Sequence, residues 1–80
     1  MKKISQMEYK KKLLKLLKEA RLEAGLRQED LAKALNQPQS FVSKYESGER
    51  RLDLIELRQI CDVFGIPLVK FITRFEQTIK

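Results

Sequence analysis

The chain has 80 residues, 42% of them hydrophobic, which suits one domain with a small core and excludes a disordered chain. The net charge of +6 and the isoelectric point near 9.7 favour a polyanionic partner, either nucleic acid or an anionic membrane surface. One cysteine cannot form a disulfide within the chain, and the absence of histidine removes the commonest base and metal ligand, so we expect no enzyme activity, no cofactor and no metal.

The positive charge is concentrated near the start of the chain. Residues 1–27 carry nine lysines and arginines against three glutamates, which accounts for +6, whereas residues 28–47 sum to −1 and residues 48–80 to +1. No secretory signal and no run of about 20 apolar residues is present, so the sequence predicts a soluble, cytoplasmic protein. Lysines and leucines alternate over residues 9–18, which is also typical of a helix lying on a membrane, but we expect those leucines to be needed for the core.

Glycines and prolines divide the sequence into five short segments, each with the apolar spacing of a helix. The predicted helices cover residues 9–24, 28–35, 38–47, 53–64 and 67–79. Pro38 and Pro67 are expected at first helical positions, and Asp53 with Glu56 has the spacing of a capping box. We expect residues 1–80 to form one domain, in which residues 1–8 are a flexible extension. Cys61 has apolar neighbours and is expected to be a core residue.

The second and third helices carry the functional information. Only residues 36–38 separate them, and Asn36 is well suited to the left-handed conformation of a tight turn. A short turn of this kind makes the following helix cross its predecessor at a large angle and project from the domain. In a helix-turn-helix, the projecting helix enters the major groove of DNA.

The sequence resembles the Cro/repressor-type, Xre-like helix-turn-helix family over roughly residues 13 to 68. The resemblance is carried by Gly25-Leu26-Arg27-Gln28-Glu29-Asp30-Leu31-Ala32, Leu35, Val42-Ser43, Tyr45-Glu46, Gly48, Leu54, Leu57, Ile60 and Gly65-Ile66. It implies an all-α, lambda-repressor-like domain of five helices. It further implies a sequence-specific, double-stranded-DNA-binding transcription regulator, with repression as the expected outcome, that places helix 39–47 in the major groove.

The resemblance assigns roles to individual residues. Gln39, Ser40 and Lys44 match positions that reach base edges, and Ser43 lies on the same helical face. Their chemistry suits this role, because glutamine pairs with adenine, lysine donates to guanine, and serine both donates and accepts. The positions that match phosphate contacts are Gln28, Arg50 and Arg51. Arg21 and Glu46 match an ion pair that fixes the orientation of the third helix.

The sequence departs from the family pattern in three places. Arg27 replaces the usual Ser/Thr cap of the second helix, Asn36 replaces the commoner turn glycine, and Gln37-Pro38 replaces the polar cap of the third helix. Phe41 has two interpretations, either contact with a thymine methyl or a sugar, or packing on the domain, and we favour partial packing.

Two further alternatives remain open at the level of sequence. Some members of the family act as antitoxins or adaptors that hold a partner protein through the same domain, so a protein-interaction module is the second hypothesis. The family usually binds DNA as a homodimer, and the apolar residues of segment 71–79 either form the dimer contact or close the core of the monomer.

Overall fold

The computed structural model describes residues 5–79, which form five helices and no strand. The helices are α1 (Gln6–Glu23), α2 (Gln28–Ala34), α3 (Gln39–Ser47), α4 (Leu54–Phe64) and α5 (Leu68–Ile79). The predicted all-α fold class is therefore confirmed. No helix within residues 5–79 has the length and apolar character needed to cross a membrane.

The first helix begins earlier than the sequence predicted. Ser5 is its N-cap, and the Ser5 hydroxyl accepts a hydrogen bond from the Glu8 backbone N–H at 3.2 Å. Residues 6–8, which were expected to belong to a flexible extension, instead form the first turn of α1. The apolar pattern starts only at Tyr9, whereas this first turn is held by its cap and exposes its side chains. The part of the predicted extension at residues 1–4 lies outside the described residues.

The two prolines precede their helices instead of opening them. Pro38 is the N-cap of α3, with extended backbone at φ −68° and ψ 155°. The Pro67 carbonyl accepts from the backbone N–H groups of Lys70 and Phe71 at 2.9 and 3.1 Å. Each helix therefore starts one residue later than predicted, because a proline carbonyl can accept the first helical bond from outside the helix.

The turn between α2 and α3 is closed by backbone hydrogen bonds. Asn36 has φ +56°, the left-handed conformation expected of it, and takes the place that glycine fills in many such turns. The Gln37 N–H reaches back to the Ala32 carbonyl at 2.9 Å. This bond satisfies a carbonyl at the end of α2 and fixes where α3 starts.

The core lies where α1 packs on α3 and α5, α2 on α3 and α4, and α4 on α5. Its buried members are Leu16, Leu17, Ala20, Leu31, Ala32, Phe41, Val42, Tyr45, Leu57, Ile60, Cys61 and Phe71. Phe71 has no exposed surface, and Ile72 and Phe75 pack against the same cluster. Closure of the monomer core therefore uses much of the apolar surface that α5 offers.

Cys61 is a core residue, as its apolar neighbours predicted. The side chain has no exposed surface, and burial raises the pKa of its thiol to about 11. At neutral pH the group is therefore a protonated thiol, which is a poor nucleophile.

Tyr45 brings a hydroxyl into the core without a hydrogen-bond partner among residues 5–79. Because an unsatisfied buried hydroxyl keeps its desolvation penalty, we expect Tyr45→Phe to raise the free energy of unfolding by about 1 kcal/mol in urea denaturation. The exposed Tyr9 supplies the matched control, since Tyr9→Phe should change stability by less than about 0.5 kcal/mol. A loss of more than about 1 kcal/mol in Tyr45→Phe would mean that the hydroxyl is satisfied.

Candidate nucleic-acid interface

The outer face of α3 carries the four residues predicted to contact bases. Gln39, Ser40 and Lys44 are exposed, and Ser43 is half-buried. The Ser43 hydroxyl donates to the Ser40 carbonyl at 3.3 Å and keeps its acceptor capacity. Positions 40 and 44 lie one turn apart, so the four side chains share one side of the helix.

The opposite face of α3 is anchored in the core. Val42 and Tyr45 have no exposed surface, and Phe41 is 8% exposed. The rings of Phe41 and Tyr45 meet edge to face, with their centroids 5.9 Å apart. Phe41 is thus a packing residue, which resolves the two interpretations that its position in the sequence allowed.

A buried ion pair joins α1 to α3. The Arg21 Nε lies 2.7 Å from Glu46 Oε2, and Arg21 Nη2 lies 3.2 Å from Glu46 Oε1. Both side chains are nearly inaccessible, at 7% and 6% exposure. The Arg21 Nη1 also donates to the Leu26 carbonyl at 2.8 Å, which ties in the segment between α1 and α2. The pair implied by the family resemblance is present, and its two parallel bonds fix the angle as well as the distance between the partners.

Gln28 extends this network to α2. Its side-chain amide donates to Glu46 Oε1 at 3.0 Å, so Glu46 accepts from two helices besides its own. The second N–H of that amide has no partner among residues 5–79. The residue predicted to contact phosphate therefore also has a structural role that the sequence did not reveal.

The N-terminus of α2 has an unusual cap. Arginine has no acceptor atom, so Arg27 cannot cap the helix amides as serine would. Asp30 instead accepts from the Arg27 backbone N–H at 2.9 Å and from the Arg27 Nε at 3.1 Å. This hydrogen bond from the Arg27 guanidinium lowers the pKa of the Asp30 carboxyl, and Arg27 also pairs with Glu29 at 2.9 Å. The two acidic side chains beside the helix N-terminus are thus compensated by one cation.

Arg50 is held by several intramolecular contacts. Its guanidinium lies over the Phe41 ring, with Cζ 4.6 Å from the centroid. The same group donates to both carboxylate oxygens of Glu56 at 2.7 and 3.1 Å, and to the Arg51 carbonyl at 2.9 Å. Much of its hydrogen-bonding capacity is used within the domain, so the exposed Arg51 is the freer of the two arginines predicted to contact phosphate.

Glu56 links Arg50 to the capping box that starts α4. Asp53 accepts from the Glu56 N–H at 2.7 Å, and Glu56 accepts from the Asp53 N–H at 3.0 Å, as the sequence spacing predicted. The hydrogen bond from the Arg50 guanidinium, followed by that from the Asp53 backbone, lowers the pKa of the Glu56 carboxyl from its ordinary 4.5.

The depressed pKa of Glu56 predicts a pH dependence of stability. Because the folded-state pKa lies below 4.5, the stabilisation is complete above that pH and is lost as the pH falls through the folded-state pKa. We expect Glu56→Gln to be less stable than the wild type at pH 7, and the difference to shrink as the pH falls well below 4.5. Urea denaturation of both proteins from neutral to acidic pH measures it. A difference that stays constant with pH would show that the charge of Glu56 does not contribute.

Lys10 is the residue at this surface that the sequence did not single out. Its ammonium group donates to the Gly48 carbonyl, at the C-terminal end of α3, at 2.7 Å. Gly48 has φ +88°, which favours glycine, and Lys10 Cε would lie 3.4 Å from a Cβ at that position. Lys10 resembles its neighbouring lysines in the sequence pattern, and only the tertiary contact with Gly48 distinguishes it.

Comparisons with known proteins agree with this arrangement. A helix-turn-helix family model matches residues 17–71, which include all of α2, α3 and α4. The comparison with curated protein sequences found no match.

Comparison with solved structures supports the same helix-turn-helix family. An XRE-family like protein from Pseudomonas syringae pv. tomato str. DC3000 is 43% identical, with a TM-score of 0.83 over 90% of this chain and 88% of that one. A wild-type restriction-modification controller protein is 30% identical, with a TM-score of 0.81 over 89% of this chain and 93% of that one. A point mutant of that controller protein is 31% identical, with a TM-score of 0.80 over 89% and 90%. The chain therefore belongs to the Xre-like helix-turn-helix family of DNA-binding transcription regulators.

Proposed function

We propose that this protein is a sequence-specific repressor that binds double-stranded DNA by inserting α3 into the major groove. The observation that carries the proposal is the two-sided character of α3. Its inner face is fixed by Val42, Tyr45 and the ion pair of Glu46, while its outer face presents polar side chains to solvent. A rigid helix with an exposed polar face can read base edges with little ordering cost on binding.

The proposed base contacts are Gln39, Ser40, Ser43 and Lys44. Gln39 and Ser40 lie in the first turn of α3, the part of the helix that approaches the bases in this mode of binding. Lys44 has no ion-pair or side-chain hydrogen-bond partner in the part of the chain that the structure describes, so its ammonium group is free to donate to guanine O6 and N7.

The proposed phosphate contacts flank α3. Arg51 is exposed in the segment after α3, and its side chain has no partner among residues 5–79. Gln28, at the N-terminus of α2, has one amide N–H left after its bond to Glu46. The Arg50 guanidinium already donates to both carboxylate oxygens of Glu56, so we expect it to contribute less to phosphate binding than Arg51 does. These contacts hold the domain on the duplex and carry no sequence information.

The proposal includes a homodimer on two half-sites about one helical turn apart. Phe71 is buried inside the monomer, so we propose exposed apolar residues for the contact instead. Leu54, Ile55 and Val69 are 64%, 66% and 72% exposed and are the candidates. We expect repression because a dimer bound to a promoter sterically excludes other proteins from that DNA. This mechanism requires no additional protein-binding surface on the domain.

A competition binding assay tests the proposal. We expect a labelled duplex recovered by selection from random DNA to stay bound in the presence of excess random duplex, and its affinity to fall steeply with added salt. Equal displacement by random and specific duplex would overturn sequence-specific recognition. A stable complex with another protein, without DNA binding, would favour the antitoxin or adaptor alternative instead.

A further inference from the structure

The first half of α1 lies outside the part of the chain that matches the family model. The match begins at residue 17, whereas α1 begins at Gln6. Residues 6–15 contain four lysines and one glutamate, so this first half of α1 carries a net charge of +3. The mode of DNA binding proposed above does not use this charge.

The first half of α1 lies beside the segment that follows α3. A cleft of about 200 Å³ separates α1 from this segment, with Leu13, Leu14 and Leu52 at its apolar wall. Lys10 and Arg51 both border this cleft, and both also border a second, adjoining one with Gln6 and Met7. Lys10 and Arg51 are both exposed and therefore border the same opening, although 41 positions separate them in the sequence.

Lys10 is held in place at the C-terminal end of α3. Its bond to the Gly48 carbonyl uses one of three ammonium donors, and the other two have no partner among residues 5–79. Because a lysine side chain normally loses rotamer entropy when it binds, an ammonium already fixed by Gly48 binds an anion at a smaller cost. The Lys10 and Gly48 contact thus positions a charge next to the proposed phosphate contact of Arg51.

We propose that Lys10 and Arg51 together bind the phosphate backbone of the DNA strand that passes the C-terminal end of α3. This inference rests on the proposed function and deepens it, since it adds α1 to the DNA-binding surface and lengthens the footprint beyond the family-matched segment. A phosphate is the favoured ligand because the cations Lys10 and Arg51 border both clefts, and cations bind the backbone phosphates of every DNA sequence alike.

The test compares Lys10→Met with Lys15→Met in fluorescence anisotropy titrations on specific and random duplex between about 50 and 200 mM salt. Methionine keeps the aliphatic stem of lysine and removes its charge. Lys15 lies on the same helix but borders a different cleft, with Thr78 of α5, so it controls for net charge alone. We expect Lys10→Met to weaken binding to both duplexes equally and to reduce the slope of log K against log[salt] by about 0.9, while Lys15→Met leaves the slope unchanged.

Lys10→Arg and thermal denaturation separate phosphate binding from a purely structural role. If Lys10 only fixes Gly48, Lys10→Met lowers the melting temperature and the affinity but keeps the wild-type salt slope, and the inference is overturned. An equal change in slope for Lys10→Met and Lys15→Met also overturns it, because net charge would then explain both. Retention of the wild-type slope by Lys10→Arg supports it. Failure of the wild-type protein to bind any duplex is distinguishable from these results, since it refutes the proposed function itself.

Discussion

Glu46→Ala is expected to lower the free energy of unfolding by about 3–5 kcal/mol. Among residues 5–79, the substitution leaves the buried Arg21 guanidinium with the Leu26 carbonyl as its one remaining acceptor, and it leaves the Gln28 amide without its acceptor. A buried charge that loses its partner keeps its desolvation penalty, which is why the loss exceeds that of an ordinary hydrogen bond. Urea denaturation followed by circular dichroism measures the change.

The chain offers an exposed ion pair as the matched control. Arg74 Nη2 lies 3.4 Å from Glu23 Oε1, and the two side chains are 40% and 64% exposed. Glu23→Ala should therefore cost less than about 1 kcal/mol. Glu46→Gln keeps the size of the side chain and removes its charge, so its loss of stability should lie between those of Glu46→Ala and Glu23→Ala. If Glu46→Ala and Glu23→Ala were equally mild, the Arg21 and Glu46 pair would not hold α3 against α1.

Lys44→Ala and Arg51→Ala are expected to weaken DNA binding in two different ways. Lys44→Ala should cost about 1–3 kcal/mol on the specific duplex and much less on random duplex, because a base contact is lost only where the base is correct. Arg51→Ala should weaken both duplexes alike and reduce the salt slope by about 1, because phosphates are the same in every sequence. Anisotropy titrations on the two duplexes measure both effects.

Lys70→Ala is the control for these two variants. Lys70 is an exposed cation on α5, which packs on α1 and α4, and its removal changes the net charge by the same amount. We expect its affinity and salt slope to match those of the wild type. If Lys44→Ala lost as much affinity on random duplex as on specific duplex, Lys44 would be a phosphate contact and the assignment of α3 would need revision.

The sequence predicted the helices well because its local signals agree with each other. Asp53 and Glu56 are a capping-box pair at the spacing that starts a helix, and Asn36 is, after glycine, among the residues that most readily adopt φ +56°. The errors at the starts of α1, α3 and α5 arise because Ser5 and the two prolines precede these helices and accept their first hydrogen bonds. A cap is specified by one hydrogen bond rather than by a repeating pattern, so periodicity does not locate it.

The candidate site was only partly predictable. The ion pair of Arg21 and Glu46 follows from the family resemblance, and the exposed face of α3 follows from helical spacing. The stacking of Arg50 on Phe41 and the bond from Lys10 to Gly48 could not be predicted in this way. Both depend on the path of the segment after α3, which no local pattern specifies.

Selection from random duplex DNA with the wild-type protein and with Lys44→Ala tests the central claim, that α3 reads bases in the major groove. We predict that the wild type enriches a motif of two related half-sites about one helical turn apart. Lys44→Ala should enrich the same motif with its preference relaxed at one base pair of each half-site. Identical motifs from the two proteins, or no enrichment with the wild type, would contradict the claim.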